Sequence, residues 1–368
     1  MNVGVVAEQL LRPVPGGIGR YVRALVDHLP AAGDGGRVTW IVARHPAGEL
    51  AAAGLPAAAT RPLVWPGRPL TRAWVNLRRP ALPAGLLGGL DLVHATSAAV
   101  PPTRGRPLVA TVHDLAFERF PDAYPPAGRR YHQRSARIVA AEAARVLVPS
   151  EATARDLAVL YGVERERIAV TPLGVELPGP DRAGAGRLLA GLGVDGPFLL
   201  AVGTLEPRKN LPRLLEAFAE AAAELPEHAL VVAGPVGWGP ALRPARDAAR
   251  VHLAGPVGDA TLHALYEAAD GVAFPSLYEG FGLPVLEAMA HGTPVLTSDR
   301  SSLPEVAGDA ALLVDPLDAG AIAKGLVRLA GDAALRAQLA AAGRRRAAAF
   351  TWPATAAATW AAYQEAAR

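Results

Sequence analysis

The stretch from Gly271 to Met289, GVAFPSLYEGFGLPVLEAM, carries the clearest structural signal in the sequence. Its first five residues form a short apolar run, which predicts a buried strand ending at Pro275, and a glycine-containing loop follows. Pro284 is well suited to be the first residue of a helix, where its missing N–H is not needed. Such a helix directs its free N–H groups and the positive end of its dipole at the loop. The stretch therefore predicts a strand, a loop and a helix with a binding place for a diphosphate.

Short apolar runs alternate with helical patterns throughout the chain, which predicts parallel sheets covered by helices on both faces. In the first half the predicted strands are Val3 to Ala7, Val38 to Ala43, Leu90 to His94, Leu108 to His113, Arg145 to Pro149 and Ile168 to Thr171. In the second half they are Phe198 to Gly203, Ala229 to Gly234, Val251 to Leu253, Gly271 to Pro275, Pro294 to Thr297 and Ala311 to Val314. The predicted fold class is α/β, with two doubly wound Rossmann-like domains.

The segment Pro172 to Gly186 is the best candidate for a linker, because it holds three prolines and four glycines and shows no hydrophobic period. Residues 1–175 are therefore predicted to form an N-terminal domain and residues 176–351 a C-terminal domain. The tail, residues 352–368, is predicted to be a helix that packs back on the N-terminal domain. Ligands bind at the carboxyl ends of the strands in such sheets, so a cleft between two facing domains is the expected site.

Composition excludes several classes of function. Of the 368 residues 51% are apolar, and the formal charge of +3 is too mild to indicate a nucleic-acid-binding protein. Because there is no cysteine, disulfides, thiolate catalysis and zinc–thiolate sites are excluded. The N-terminal residues lack the features of a signal peptide, and no apolar run has the length of a membrane span. We therefore expect a cytoplasmic protein.

Two glutamates stand in the opening stretch, Glu279 in the loop and Glu287 in the first turns of the helix. Carboxylates beside an anionic ligand are electrostatically unfavourable, so these two are better suited to bind the hydroxyl groups of a sugar or a ribose than to bind phosphate. The alternative is structural, with Glu279 capping the helix and Glu287 solvated on the surface.

A second junction between a strand and a helix, Val202 to Asn210 (VGTLEPRKN), carries Arg208 and Lys209. Lys209 is one of only two lysines in the chain, the other being Lys324. Negative charge that develops on a departing diphosphate is stabilised either by a metal or by fixed cations and amides. Since the chain contains no Asp-x-Asp pattern, no metal is predicted, and Lys209 with Arg208 takes that role. The alternative is an Arg-Lys pair on the surface at the start of a helix.

In the N-terminal half, Gly16, Gly17 and Gly19 fall between the first predicted strand and the first predicted helix, where amides can approach a phosphate or an acceptor hydroxyl. The dinucleotide pattern Gly-x-Gly-x-x-Gly is not matched, because Val22 stands at its third glycine, so a dehydrogenase is disfavoured. His113, followed by Asp114, closes another strand and is a candidate catalytic residue. Glycines that serve only a turn, and a structural histidine, are the alternatives.

The motifs together resemble the signature of glycosyltransferase family 4, whose members have the GT-B fold. The resemblance rests on Glu-x7-Glu within Glu279-Gly-Phe-Gly-Leu-Pro-Val-Leu-Glu287, and it extends from Gly16-Gly-Ile-Gly-Arg-Tyr to Ser301-Ser-Leu-Pro-Glu-Val. It implies a retaining enzyme that needs neither a metal nor a cofactor and transfers a hexose from a nucleoside-diphosphate sugar.

The resemblance also implies a role for each matched position. Glu287 is expected to bind the ribose of the donor, Glu279 to lie near its sugar, and Lys209 to contact its diphosphate, while His113 points at the sugar. Many members carry arginine at the position of Thr204, and Arg208 is expected to supply that charge, as in the members resembling O-antigen mannosyltransferases. The predicted donor site is completed by Gly16, Gly17, Gly203, Thr204, Gly280, Phe281, Gly282 and Leu283.

The substrates are less defined than the site. A GDP- or UDP-linked donor is expected, with mannose as the first expectation for the sugar, and the acceptor is a glycan, a lipid-linked molecule or a small molecule. Two other functions stay open: a non-catalytic module that binds a nucleotide sugar, and a phosphorylase or epimerase of similar fold.

Arginines concentrate in Arg61 to Pro80 and in Gly128 to Arg137, and Trp65 and Trp74 are interleaved with the first cluster. We favour a solvated basic face with tryptophans in the core. The alternative is peripheral attachment to the inner face of an anionic membrane, or binding of a lipid-phosphate acceptor.

Overall fold

The computed structural model describes residues 1–33, 35–237 and 250–368. The chain divides into two compact units. Unit 1 comprises Met1–Gly174 and Thr351–Arg368, and unit 2 comprises Val175–Phe350. Each unit has a parallel sheet and a hydrophobic core of its own.

The sheet of unit 1 contains seven strands within the described residues, all parallel, in the order β3-β2-β1-β4-β5-β6-β7. They are β1 (Asn2–Val6), β2 (Arg37–Arg44), β3 (Thr60–Pro66), β4 (Leu92–Ala95), β5 (Leu108–Thr111), β6 (Ala143–Val148) and β7 (Ile168–Val170). The direction in which strands are added reverses between β1 and β4. Their carboxyl ends therefore flank the point where doubly wound sheets bind ligands.

Helices cover both faces of this sheet. They are α1 (Gly16–Ala32), α2 (Ala47–Ala52), α3 (Gly67–Leu77), α4 (Ala84–Leu87), α5 (Ala116–Arg119), α6 (Pro126–Glu142), α7 (Glu151–Tyr161) and, at the end of the chain, α15 (Trp352–Ala366). Helix α15 begins after Thr351, whose hydroxyl accepts the N–H of Ala354 at 3.3 Å. It packs against α1 and β6, and the Tyr363 hydroxyl lies 2.7 Å from Nδ1 of the buried His94.

The sheet of unit 2 contains six described strands, also parallel, in the order β10-β9-β8-β11-β12-β13. They are β8 (Phe198–Val202), β9 (Ala229–Ala233), β10 (Val251–Gly255), β11 (Gly271–Phe274), β12 (Val295–Ser298) and β13 (Leu312–Val314). Here the direction reverses between β8 and β11. The two junctions that the sequence singled out follow these two strands.

The helices of unit 2 are α8 (Arg182–Gly191), α9 (Leu211–Glu220), α10 (Asp259–Ala268), α11 (Leu283–His291), α12 (Leu303–Ala307), α13 (Ala319–Gly331) and α14 (Ala333–Ala347). Leu199 and Leu230 of the sheet pack with Leu214 of α9 and with Ile322 and Leu326 of α13, and all five side chains are fully buried. This core packs against both β8 and α9, so the elements before and after the junction are each fixed by buried contacts.

Three predictions of local structure are corrected. Strand β3 was not predicted, because its Pro62 and Pro66 mask the pattern, and an edge strand tolerates both. Helix α8 begins inside the segment predicted as a linker, where the Asp181 carboxylate accepts the N–H of Gly184 at 2.8 Å and caps it. Gly16 and Gly17 are the first two residues of α1 rather than loop residues before it.

No helix in the described ranges combines the length and the apolar composition that crossing a bilayer requires.

Candidate functional site

The loops after β8 and β11 meet at the point where the strand order of unit 2 reverses. The first contains the 3₁₀ turn Pro207–Lys209, and the second runs from Pro275 to Gly282. The N–H of Leu277 donates to the carbonyl of Arg208 at 2.8 Å, which joins the two loops by their backbones. Asn210 adds a side-chain link, because its amide donates to the carbonyl of Pro275 at 3.0 Å.

Four charged side chains form a compact cluster between these loops, which we call the ion-pair cluster: Glu206, Arg208, Lys209 and Glu279. Lys209 Nζ donates to Glu279 Oε1 at 2.6 Å, and Arg208 Nη1 donates to Glu279 Oε2 at 2.8 Å. Arg208 Nε also lies 2.7 Å from Glu206 Oε1. Two carboxylates and two cations give the cluster no net formal charge. An anion that binds beside it is therefore not repelled by a net negative charge.

The cluster is buried, which shows in its titration. Burial lowers the pKa of Lys209, and the neighbouring Glu279 carboxylate opposes that shift. For Glu279, burial on its own favours a raised pKa, but Arg208 and Lys209 outweigh it and lower the pKa to about 2. Burial thus decides the direction of the pKa shift of Lys209, whereas pairing with the two cations decides that of Glu279. Glu279 is therefore a carboxylate at neutral pH, held by two cations.

Backbone geometry fits the loops to the cluster. Gly203 has φ of 144°, and a Cβ there would lie 3.3 Å from Lys209 Cε, so the glycine leaves room for the lysine side chain. The backbone of Glu279 is fixed by two serines: its N–H donates to Ser301 Oγ at 3.1 Å, and its carbonyl accepts from Ser302 Oγ at 2.9 Å. The Ser276 hydroxyl donates to the Glu279 carboxylate at 2.7 Å.

The loop then leads into the N-terminus of α11. Gly282, the residue before the helix, has φ of 114°, which favours glycine, and Leu283 and Pro284 occupy the first two helical positions. Phe281 is buried, with its ring 5.8 Å from that of Phe350, and its carbonyl lies 2.7 Å from Ser302 Oγ, sharing the single hydroxyl proton with the carbonyl of Glu279. The loop is thus anchored at Phe281, and the helix presents its N–H groups and positive dipole end there.

Glu287 lies one turn further along α11 and is buried, with 4% of the residue exposed. The hydroxyl of the buried Tyr266, in α10, donates to Glu287 Oε2 at 3.0 Å. The structural alternatives for the two glutamates are therefore wrong: Glu287 is not on the surface, and Gly282 rather than Glu279 is the N-cap residue of α11. The surface alternative for Arg208 and Lys209 is also wrong, because their side chains are only 16% and 10% exposed.

Thr204, which stands where many family members have arginine, is half-buried in the loop after β8. A Cβ on Gly237, which follows β9, would lie 2.6 Å from its methyl group, so the backbone at residue 237 packs closely on it. Arg208 approaches Glu279 from the same loop.

In unit 1, His113 lies just after β5. Its Nε2–H donates to the carbonyl of Thr96 at 2.9 Å, and its ring meets that of Tyr21 edge-on at 5.0 Å. Burial lowers the pKa of His113, which favours the neutral ring. Gly16 and Gly17, at the start of α1, are exposed. Asp114 accepts the N–H of Ala116 at 3.1 Å and so shapes the loop.

Sequence reasoning missed several residues that build the site, namely Ser276, Ser301, Ser302, Tyr266 and the Asn210 side chain. Asn210 and Ser301 are in left-handed conformations, with φ of 59° and 60°. Asparagine adopts the left-handed conformation more readily than most residues, so its position just before a predicted helix could have indicated this conformation for Asn210. Tyr266 lies 21 residues from Glu287, and no local pattern connects the two.

Within the described residues, no group of three or more His, Cys, Asp or Glu side chains is arranged to hold a metal ion.

Comparisons with known proteins identify the family of the chain. The profile described as "Glycosyl transferases group 1" matches residues 190–346, and the one described as "Glycosyltransferase Family 4" matches residues 15–177. An O-antigen chain mannosyltransferase B of Escherichia coli is 34% identical over 265 residues, which cover 68% of each chain. The chain belongs to glycosyltransferase family 4. Its class of enzyme is therefore that of the glycosyltransferases.

Other relatives carry further names. An MMP α-(1→4)-mannosyltransferase of Mycolicibacterium hassiacum is 32% identical over 318 residues, covering 79% of this chain and 74% of that one. A D-inositol 3-phosphate glycosyltransferase of Kineococcus radiotolerans is 36% identical over 292 residues, covering 71% of this chain and 66% of the relative. The match thus spans about two thirds to three quarters of these relatives.

Solved structures confirm the fold. A sucrose-phosphate synthase from Thermosynechococcus elongatus has a TM-score of 0.71 at 23% identity, over 99% of this chain and 98% of that one. Anabaena HepE, solved with UDP and glucose, has a TM-score of 0.71 at 20% identity, over 99% of both chains. The predicted GT-B fold class, with two Rossmann-like domains, is confirmed.

Proposed function

We propose that this family 4 member is a retaining, metal-independent hexosyltransferase whose unit 2 binds a nucleoside-diphosphate sugar. The observation that carries the proposal is the ion-pair cluster, in which Lys209 and Arg208 are held by Glu279 beside the N-terminus of α11. Glu287 binds the ribose, and the cations together with the helix N-terminus bind the diphosphate.

The chemistry follows from where charge develops. When the glycosidic bond to the diphosphate breaks, negative charge grows on the leaving oxygen, and prearranged cations stabilise it without reorganisation. An ammonium carries three N–H donors and a guanidinium carries five, so both cations have the capacity to hold Glu279 and a phosphate at once. Glu279 acts by keeping both cations in place. Its predicted contact with the donor sugar, and that of His113, stay predictions.

The substrates are proposed from the relatives. Two of them are named mannosyltransferases, which favours a mannosyl donor and agrees with the sequence expectation of GDP-mannose. A UDP-linked hexose is the second candidate, since Anabaena HepE is solved with UDP-glucose. The acceptor is a glycan, a lipid-linked molecule or a small molecule, and location in the cytoplasm stays a prediction.

Membrane contact of unit 1 gains support from side-chain exposure. Trp74 belongs to the core, but Trp65 is 53% exposed and its neighbour Val64 is 76% exposed. Arg68 and Arg72 are exposed on α3, which begins directly after these residues. Exposed apolar side chains beside cations suit an anionic lipid surface. We propose this face as a peripheral membrane contact.

The test of the function is a panel of nucleotide sugars, first by thermal shift and then by transfer in the presence of EDTA. A recognised donor stabilises the protein as its concentration rises above Kd, whereas other nucleotide sugars do not. The product of transfer, examined by NMR, is expected to keep the anomeric configuration of the donor. Inversion, or transfer that stops when metals are chelated, would contradict the proposal.

The same panel separates the three alternative functions. A non-catalytic module would bind a donor and never release the nucleoside diphosphate, even with a range of acceptors. A phosphorylase would need inorganic phosphate, and an epimerase would convert the donor sugar without any acceptor. Release of nucleoside diphosphate that depends on an acceptor alone distinguishes the proposed transferase from all three.

A further inference from the structure

Tyr266 is a buried residue of α10 whose hydroxyl reaches a residue of the proposed donor site. It is fully buried, and its hydroxyl donates to Glu287 Oε2 at 3.0 Å. The hydrogen bond crosses from α10 to α11, so the orientation of the carboxylate depends on a second helix. A glutamate side chain rotates about three χ angles, and a hydrogen bond to its carboxylate favours one rotamer over the others.

Tyr266 is itself held on three sides. Its ring stacks on His291, with centroids 5.9 Å apart and planes at 20°, and it meets His263 edge-on at 6.0 Å. Its carbonyl accepts the hydroxyl of Thr293 at 2.6 Å. The two histidines are joined in turn, with His263 Nδ1 2.6 Å from His291 Nε2. The phenol therefore has little freedom, and its hydroxyl is directed at Glu287.

We propose that Tyr266 is a positioning residue for nucleotide recognition. Its hydroxyl holds the Glu287 carboxylate in the orientation that accepts hydrogen bonds from the two hydroxyl groups of the donor ribose. The inference rests on the proposed function, because it concerns how unit 2 recognises a ribonucleoside diphosphate. A carboxylate that must meet two adjacent hydroxyls binds better when it is oriented before the ligand arrives, since misplacement loses both bonds.

The experiment compares two probes by calorimetry: a ribonucleoside diphosphate and its 2′,3′-dideoxy counterpart, in both the uridine and the guanosine series. The measured quantity is the ratio of the two Kd values. For the wild type we expect the dideoxy probe to bind about 10- to 100-fold more weakly, as expected for hydrogen bonds to a charged group. In Tyr266→Phe the ratio falls towards one, because the ribonucleotide loses affinity and the dideoxy probe does not.

Two reference variants define the outcome. Glu287→Gln gives the ratio for a site without the carboxylate, and adding Tyr266→Phe to it changes the ratio no further, because the tyrosine acts through Glu287. Tyr363→Phe removes a buried phenol hydroxyl from unit 1 and leaves the ratio at its wild-type value. A purely structural role for Tyr266 would lower stability but keep the wild-type ratio, and that result would overturn the inference.

Failure of the inference and failure of the proposed function give different results. If the wild type binds neither probe, or binds both equally, the assignment of the ribose site is wrong whatever Tyr266 does. If the wild type discriminates and Tyr266→Phe discriminates equally, only the positioning role is wrong. Should Tyr266→Phe not fold, 4-fluorophenylalanine at position 266 fills most of the space of the hydroxyl without a proton to donate to Glu287, and an unchanged ratio would then refute the role.

Discussion

Replacing Glu279 by glutamine tests whether the ion-pair cluster is arranged as described. The carboxylate is the shared partner of Lys209 and Arg208, and 9% of its side chain is exposed. Glutamine keeps the shape but removes the charge, which leaves two buried cations with Glu206 as the remaining carboxylate of the cluster. We expect a loss of about 3 kcal/mol in the free energy of unfolding at pH 7, as for the breaking of a buried ion pair.

The pKa gives an independent magnitude and fixes its pH window. The pKa of Glu279 is lowered from 4.5 to about 2 by Arg208 and Lys209. At about 1.4 kcal/mol per pKa unit, this lowering corresponds to about 3 kcal/mol of stability. Because the pKa is lower in the folded state, the stabilisation is complete above about pH 5 and is lost as the pH falls towards 2. The wild type and Glu279→Gln should therefore converge in acid.

The assay is urea denaturation at a series of pH values, followed by hydrogen exchange of peptides from β11 and α11, so that unfolding of unit 2 is observed separately. Glu224→Gln, at an exposed site in the same unit, is the matched control and should stay parallel to the wild type. The reasoning is refuted if the difference between the wild type and Glu279→Gln is the same at pH 7 and at pH 3.

Three further predictions use other parts of the structure. Asn210→Ala removes two buried hydrogen bonds, to the carbonyls of Pro275 and Pro316, at a positive φ, so urea denaturation should show a loss of about 2 to 4 kcal/mol; a loss below about 0.5 kcal/mol would contradict the description. Gly203→Ala should weaken binding of a nucleoside diphosphate in calorimetry, because the added methyl displaces the neighbouring lysine, and unchanged affinity would argue against that packing. Trp65→Ala should reduce flotation of the protein with anionic vesicles. Leu253→Ala, at a partly exposed apolar site in unit 2, is the control and should not reduce it. Equal flotation of the two variants would contradict the proposed membrane contact.

Much of the fold was predictable from the sequence because the strands are short, apolar and buried on both faces. Strands β8 and β11 begin where the sequence placed them, and each prediction runs one residue past the observed end. Strand β3 was not predicted, because prolines argue against a central strand, whereas an edge strand accepts them. The start of helix α8 was not predicted, because the glycines and proline around its N-cap residue Asp181 are typical of a linker and hide the capping signal.

The site was predictable only in part, for a physical reason. Glu279, Lys209 and Arg208 lie in motifs that point at the same sheet edge, so their proximity follows from the parallel fold. The prediction did not include that the carboxylate holds both cations, because pairing depends on loop conformations. Tyr266 lay beyond local reasoning, since its bond to Glu287 joins two helices through tertiary packing.

The central claim is that a diphosphate is bound by a buried ammonium group and a helix N-terminus, with no divalent ion required. The most direct measurement is the Kd of a nucleoside diphosphate, determined by calorimetry in EDTA for the wild type, Lys209→Ala and Lys324→Ala. The two lysines lie in the same unit, one in the ion-pair cluster and one exposed on α13, which makes the second a matched control. We predict full affinity for the wild type and Lys324→Ala and about 100-fold weaker binding for Lys209→Ala. Equal affinity of the two variants, or loss of wild-type binding in EDTA, would contradict the claim.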